Sequence, residues 1–380
     1  MPQPQVDLIR RIADLDHAEW DALVGPDGSP FLEWDWLAAL EADCAVPRKG
    51  WAPHHLVVRQ GGRLIAAVPM YLKGHSQGEF VFDHSWAEAA EHAGLKYYPK
   101  LVVAVPFTPA TGRRLLTHPD AQRAPLLTML ARALRELCGG NDLSSVHVNF
   151  CAEDEVAPLE QAGFLHRQGL QYHWRNRGYD NFDGYMADLR SKRRNQIARE
   201  RRAITASGVE VTVHQGEAIP DDLFAPMFRI YRATIDKLYW GRQYLTSAFF
   251  DRLRDGFKRH LCFVVARRAG EIVAGTVNVQ KAGVFYGRYW GAFEEIRNLH
   301  FEVCYYTAID HCIRNRLSRF EPGAGGEFKF LRGFDPVATD SMHYLPHPGF
   351  AAAVAKFLHR ERAHVDGAIA AMRERSALKE

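Results

Sequence analysis

Residues 261–291 read LCFVVARRAGEIVAGTVNVQKAGVFYGRYWG, residues 299–323 read LHFEVCYYTAIDHCIRNRLSRFEPG, and residues 324–334 read AGGEFKFLRGF. Three apolar segments, parted by tight Gly-bearing turns, have the composition of antiparallel strands joined by short hairpins. One amphipathic helix and a further strand follow, and the piece closes on a Gly-rich turn carrying Glu327, Lys329 and Arg332.

The surrounding chain has 380 residues, enough for two domains. Hydrophobic content of 47% and charged content of 24% are ordinary for a chain with a sizeable core. The aromatic share of 12% is high and suits a wet cleft as well as a core. A net charge of +3 is too small for bulk attraction to nucleic acid, so the distribution of charge is what matters. The six cysteines (Cys44, Cys138, Cys151, Cys262, Cys304, Cys312) form no CxxC and no regular framework, which points to buried thiols in a reducing compartment. No basic-then-apolar leader opens the chain, and no apolar run nears the ~18–20 residues of a membrane span. The expectation is a cytoplasmic protein.

Before this stretch, strands and helices alternate. Val6 to Ile12 reads as a short edge strand, and Asp16-His-Ala-Glu19 is a capping box opening a helix. Ser29-Pro30 starts a second helix whose Leu32, Trp36 and Leu40 share one face. HHLVVRQ and RLIAAVPMYLK flank the turn dipeptide Gly61-Gly62. EFVFD (79–83), YYPKLVVAV (97–105) and SSVHVNF (144–150) are strand-like, with helical patterns at 85–93 and 123–138. The order implies a mixed α/β sheet of the α+β type. Within it, His75, Glu79, Asp83 and Trp86 crowd acid, base and aromatic groups into a dozen residues. That is either a solvated loop with a helix cap or a substrate-binding loop on a rigid scaffold.

The character changes near YHWRNRGY (172–179), where the domain junction is placed. Domains are expected over 1–172 and 173–346, with a helical tail over 347–380. Residues 190–202 hold seven basic residues and one acid. Ala187, Ile197 and Ile204 supply a thin apolar stripe for a helix ending before Gly208. A merely soluble helix mixes both signs, so Lys192, Arg193, Arg194 and Arg199 point to an anionic partner, either tRNA or a phosphate-bearing molecule. VEVTVHQ (209–215) reads as a strand, and Pro220-Asp-Asp opens a long helix through Lys237.

Several segments together resemble a known group: GWAPHHLVV, PMYLKGHSQGEFVFDHSWA, YYPKLVVAVPFTPATGRRLL, QYHW, SKRRNQIARERR, YGRYWG, LHFEVCYY, EPGAGGEFKFLRGFDP and Thr339-Asp-Ser341. They look like the peptidoglycan biosynthesis/recognition branch of the FemAB-like proteins. The strand–strand–strand–helix–strand order of 261–321 resembles the second half of a GNAT acyltransferase domain. The resemblance implies two tandem GNAT-like mixed-sheet domains with a C-terminal helix, the second catalytic and the first on the acceptor side. It also implies amide formation on an amine acceptor, with aminoacyl-tRNA as donor. Two positions depart from the family's terminal motif, Gly325 in place of Gln and Phe328 in place of His.

The residues are compatible with acyl transfer. An attacking amine must be neutral, so a carboxylate or imidazole is needed as base. His300 and Glu302 lie two apart on one helix, so one can face a cleft while the other packs. Glu327 is the rival base. Lys329 can neutralise an oxyanion or a donor phosphate, and FemAB-like proteins resemble this segment in carrying such a lysine. Arg332 can act likewise. Arg288 and Trp290 end the third strand, where open α/β sheets place ligands, and Tyr305 joins them as a substrate contact. CoA binders of this fold show a Gly-rich loop before the main helix. Residues 291–298 (GAFEEIRN) carry one glycine and two acids, a poor phosphate nest. That leans toward aminoacyl-tRNA over acyl-CoA, with no tightly bound cofactor expected. HExxH and Walker motifs are absent, so metal ligation is not expected. A binding module that kept the fold and lost chemistry is the non-enzyme alternative.

Overall fold

The computed structural model describes residues 2–42, 50–237, 243–326 and 328–379. Packing divides the chain into two units, Met1–Leu170 with Ala338–Ala368, and Gln171–Val337 with Ile369–Glu380. The chain thus enters the second unit beside the junction read at 172/173. It returns to the first at Ala338, so residues 338–346, read as the end of the second domain, pack with the first unit, as does most of the tail read over 347–380.

The first unit holds two sheets. One has the order β1 (Gln5–Ile9), β3 (His55–Gln60), β4 (Arg63–Val68), β7 (Leu116–Thr117), all antiparallel. The other runs β2 (Trp51–Pro53), β5 (Met70–Lys73), β6 (Lys100–Val103), β8 (Val146–Cys151), and then Asp340 onward in the last strand. The Gly61-Gly62 turn joins β3 to β4 with positive φ at both glycines, as expected. Pro69 splits RLIAAVPMYLK into β4 and β5, because proline cannot donate to a ladder. Helices α1 (His17–Val24), α2 (Trp34–Ala42), α3 (His84–His92), α4 (Arg123–Gly140) and α5 (Glu153–Gln161) complete this part. Leu126, Leu127, Leu130 and Leu134 of α4 pack against Leu56, Val68, Leu101 and Val148, each such burial contributing about 2 kcal/mol. EFVFD is no strand. Phe80 sits at φ +60°, and Glu79 and Asp83 turn inward instead of alternating across a sheet.

In the second unit, strand β9 (Leu165–Arg175) contributes its last residues. Short helix α6 (Phe182–Asp188) then precedes the basic helix α7 (Ser191–Ala206). Ala187 therefore belongs to α6, and the buried stripe of α7 is Ile197, Glu200 and Ile204. Strands β10 (Val209–Gln215), β11 (Leu261–Arg268), β12 (Glu271–Lys281) and β13 (Val284–Ala292) form an antiparallel meander. Helices α8 (Phe224–Lys237) and α9 (Ser247–Arg252) interrupt it. Gly291 is required by packing, since a Cβ there would stand 1.9 Å from the Ile230 carbonyl oxygen of α8. After β13 comes helix α10, in three parts: Leu299–Phe301, a wide π turn at Glu302–Tyr306, and Thr307–Arg314. Strand β14 (Arg319–Glu321) runs parallel to β13 and antiparallel to the end of β9. The last strand, β15 (Asp335–Tyr344), leads to helix α11 (Pro348–Arg373).

Candidate active site

In the second unit the strand ladder opens between β13 and β14. Strands β13 and β14 pair only over Val284–Tyr286 and Arg319–Glu321. Beyond Tyr286, β13 continues along β12 to Ala292, while β14 ends and the chain turns away at Pro322. A bulge between Val277 and Asn278 adds to the divergence. A cavity of about 90 Å³ lies at this opening, and its wall includes Asn278, Arg288, Trp290, His300, Tyr305 and Pro322. Four residues picked from the sequence (Arg288, Trp290, His300, Tyr305) are thereby brought together.

The His300 ring stands edge-on to Trp290 at 5.1 Å and to Tyr305 at 5.4 Å. Burial, then the charges of Arg332 and Lys329, bring its pKa down to about 4, so it is a neutral imidazole at pH 7. Glu302 faces elsewhere, as the two-residue spacing allows. Its carboxylate accepts from Arg201 Nε at 3.1 Å and from the Thr307 hydroxyl at 3.3 Å. It borders a separate cavity of about 720 Å³ between α7, β10 and α10, with Arg202, Asp310 and Arg314 also in the wall. A carboxylate clamped by arginine on another cavity is poorly placed as base for the opening at His300.

Lys329 is buried at 4% exposure. Its ammonium donates to the Gly323 carbonyl at 2.7 Å and the Ala324 carbonyl at 3.4 Å, so the Gly-rich turn wraps the cation with its oxygens. Gly323, Gly325 and Gly326 all take positive φ, which explains their use. Burial lowers the Lys329 pKa to about 8, with the neighbouring Cys304 thiol opposing. Cys304 also lines the small cavity, and Gly323, whose carbonyl takes the Lys329 ammonium, stands close to Gly287 of the same wall. No carboxylate pairs with Lys329 among the described residues. Glu327 lies outside the described residues, and Phe328 is largely exposed.

Arg332 is not free for substrate. It is buried, with Nε donating to the Tyr306 hydroxyl at 2.8 Å and the two terminal nitrogens to the Phe328 carbonyl at 3.0 Å and Glu200 at 2.9 Å. Its guanidinium lies 3.5 Å from the centre of the Phe301 ring. The Tyr306 hydroxyl also donates to Glu200. The lone acid of the basic segment therefore fastens α7 to the Lys329 turn. Of the basic residues, Lys192 and Arg199 are exposed, Arg193 donates to Gln196, and Arg194 reaches the Leu189 carbonyl.

In the first unit, Glu79 and Asp83 are buried. Both grip the fully buried Lys100, at 3.0 and 2.5 Å. Burial lifts Glu79 to about 7 against the pull of Lys100. Burial acts the same way on Asp83, but Lys100 and then His147 outweigh it and hold that carboxyl below the usual range. Trp86 is buried edge-on to His343 at 5.0 Å, and the His75 ring accepts from the Gln77 backbone N–H. Sequence reasoning passed over Lys100, Glu200, His173 and Glu321. For Glu200 a signal existed, its being the only acid in a basic run.

A parallel pair of strands thus parts beside the main helix, and a buried lysine lies on the turn that follows β14. The chain belongs to the FemAB-like family, described as peptidoglycan biosynthesis/recognition, whose model matches residues 11–380. Among solved structures, FemX is similar at TM-score 0.55 and 11% identity, covering 92% of this chain and 100% of that one. The C-terminal domain of a putative lysylphosphatidylglycerol synthetase from Agrobacterium fabrum gives the same score and identity, covering 92% and 96%. A conserved protein of unknown function from Bacteroides thetaiotaomicron scores 0.54 at 12% identity, covering 89% and 99%. At these identities the likeness is one of fold. No curated protein sequence matches the chain. No helix among the described residues is long and apolar enough to cross a membrane.

Proposed function

We propose that this protein is an N-acyltransferase that joins an activated acyl or aminoacyl group, with aminoacyl-tRNA preferred as donor, to a primary amine on a cell-wall precursor or related metabolite. The observation that carries the reading is Lys329, a buried cation with no carboxylate partner among the described residues, held by the Gly323 carbonyl of a turn that stands close to Gly287 of the cavity wall. A tetrahedral oxyanion formed there would meet a preorganised positive charge, in surroundings dry enough to make it count. Arg288, Tyr305 and the neutral His300 line the same cavity and supply polar contacts for the acyl group or acceptor. The aminoacyl-tRNA preference rests on the exposed Lys192 and Arg199 of α7. It rests also on Gly291, which helix packing explains, so the 291–298 loop has no glycine to spare for a phosphate cradle.

The test offers the purified protein labelled aminoacyl-tRNA and labelled acetyl-CoA in separate reactions, with amine-bearing cell-wall precursors as acceptors. Amide product from the tRNA arm is expected; product from the CoA arm alone would replace the donor. Lys329→Met should lower kcat about 10²–10³-fold with folding intact, the usual loss of one oxyanion donor. Full activity in that variant would remove Lys329 from the mechanism.

A further inference from the structure

Asn278 sits on β12 at the bulge beside the strand opening, in register with Gly287 of β13. Both residues line the small cavity, as does Thr276, two residues back on the same face of β12. Gly287 ties this spot to the lysine turn. A Cβ placed on Gly323 would stand 3.5 Å from the Gly287 carbonyl oxygen, and the Gly323 carbonyl holds Lys329. Asn278 is 3% exposed, and its amide has a fixed orientation. Its NH2 group donates to the Cys262 carbonyl at 3.0 Å and to the Thr276 hydroxyl oxygen at 2.9 Å. A backbone carbonyl can only accept, so the amide nitrogen must face Cys262. Both donors are thereby committed, and Oδ1 accepts no hydrogen bond among the described residues. Oδ1 is not sealed in by neighbouring atoms, and the open space beside Asn278 is the cavity.

A lone acceptor on this wall recognises a donor hydrogen. The lining carries the Arg288 guanidinium and, among the described residues, no carboxylate, which disfavours an ammonium ion and suits a neutral nitrogen. A carboxamide fits that role, because a carboxylate in its place would hold the amine protonated. Resting on the acyl-transfer reading above, we infer that Asn278 Oδ1 holds the neutral acceptor amine and makes a primary amine the preferred nucleophile. The acceptor R–NH3⁺ releases one proton to solvent and enters with two hydrogens and a lone pair. One N–H donates to Oδ1, which orients the lone pair toward the acyl carbon. As the nitrogen–carbon bond forms, the carbonyl pair moves to oxygen on the Lys329 side. The C–O bond of the donor ester then breaks, and its oxygen leaves with the bonding pair and takes the second hydrogen as a proton. The hydrogen held by Asn278 stays on the product amide. A secondary amine has a single hydrogen, which the collapse consumes, so it forfeits the contact at that point.

The experiment uses the full chain, labelled aminoacyl-tRNA and acetyl-CoA as donors in separate reactions, and a precursor peptide whose lysine side chain carries the acceptor amine. Parallel peptides carry an N-methylated amine as substrate, or a hydroxyl or methyl in place of the amine as competitive inhibitors. Hydroxyl and methyl are similar in size, so their ratio reads hydrogen bonding and not space. In wild type the hydroxyl peptide should bind about 3–10-fold more tightly than the methyl peptide, the range of one hydrogen bond. The primary amine should exceed the N-methyl amine in kcat/KM by at least about 10-fold. In Asn278→Ala both ratios should shrink toward unity while the donor KM holds. Ratios retained in Asn278→Ala would overturn the assignment while leaving acyl transfer standing. Equal binding of the hydroxyl and methyl peptides to wild type would do the same, and that measurement needs no variant to fold. If wild type acylates no amine from either donor, the functional reading itself fails and this inference falls with it.

Discussion

Arg332→Met separates two roles for one residue. The sequence makes Arg332 a substrate ligand, whereas the structure has it donating to Glu200, to Tyr306 and to the Phe328 carbonyl while covering Phe301. Removing the guanidinium leaves the Glu200 carboxylate buried with its counter-charge gone. Breaking such a pair from one side costs about 3–5 kcal/mol. In a unit of this size each kcal/mol moves Tm by about 2–4 °C, so a fall of roughly 6–20 °C is expected. Glu200→Gln combined with Arg332→Met removes both charges and should recover about 1–3 kcal/mol over the sum of the single changes. Melts followed by circular dichroism and tryptophan fluorescence would measure both variants. An unchanged Tm for Arg332→Met, coupled to a raised acceptor KM, would refute the structural role and restore the ligand.

Gly291→Ala puts a methyl against the Ile230 carbonyl and should destabilise the second unit by about 1–3 kcal/mol, read from the urea midpoint. Glu79 has a folded pKa of about 7 against an ordinary 4.5. Its raised value means a contribution fully present below pH 4.5 and lost as pH rises through 7, by about 3 kcal/mol at 1.36 kcal/mol per pH unit. The stability of wild type relative to Glu79→Gln should therefore fall between pH 5 and 8, and a flat difference would contradict the burial argument. Charge reversal at Lys192 and Arg199 should weaken tRNA binding and reduce the slope of log K against log salt by about 1–2, measured by filter binding. With the Lys329 pKa near 8 and the ammonium as the active form, transfer should decline above that pH, and Lys329→Arg should move the decline upward.

The meander of the second unit was legible because each turn is marked by glycine and each strand by a run of apolar residues. The helix over 299–314 was legible by its period, though its π turn was not. That wide turn separates the outlooks of Glu302, Tyr305 and Tyr306, toward Arg201, the cavity and Arg332 respectively. Lys329 could be singled out because it sits in a recognisable motif. Glu200 and Arg332 are 132 residues apart, and a pairing at that distance leaves no local pattern. Lys100 and Glu321 are single charges at the ends of short strands, and their neighbours give no hint of burial. The run EFVFD misled for a related reason. Its short apolar run Phe80-Val81-Phe82 mimics a strand, but Glu79 and Asp83 are drawn inward by Lys100, a partner 21 and 17 residues away.

The Glu200–Arg332 pair has a mechanical meaning. Glu200 belongs to the one strongly cationic helix of the second unit, and Arg332 lies three residues from the lysine at the strand opening. Arg332 is also pinned through its own carbonyl, which accepts from the Tyr185 hydroxyl at 2.8 Å. A polyanion that pulled on α7 would load the lysine turn through this strut. Helix and turn are tied by a buried ion pair, so a displacement of α7 would be passed to the Lys329 turn while that pair is intact.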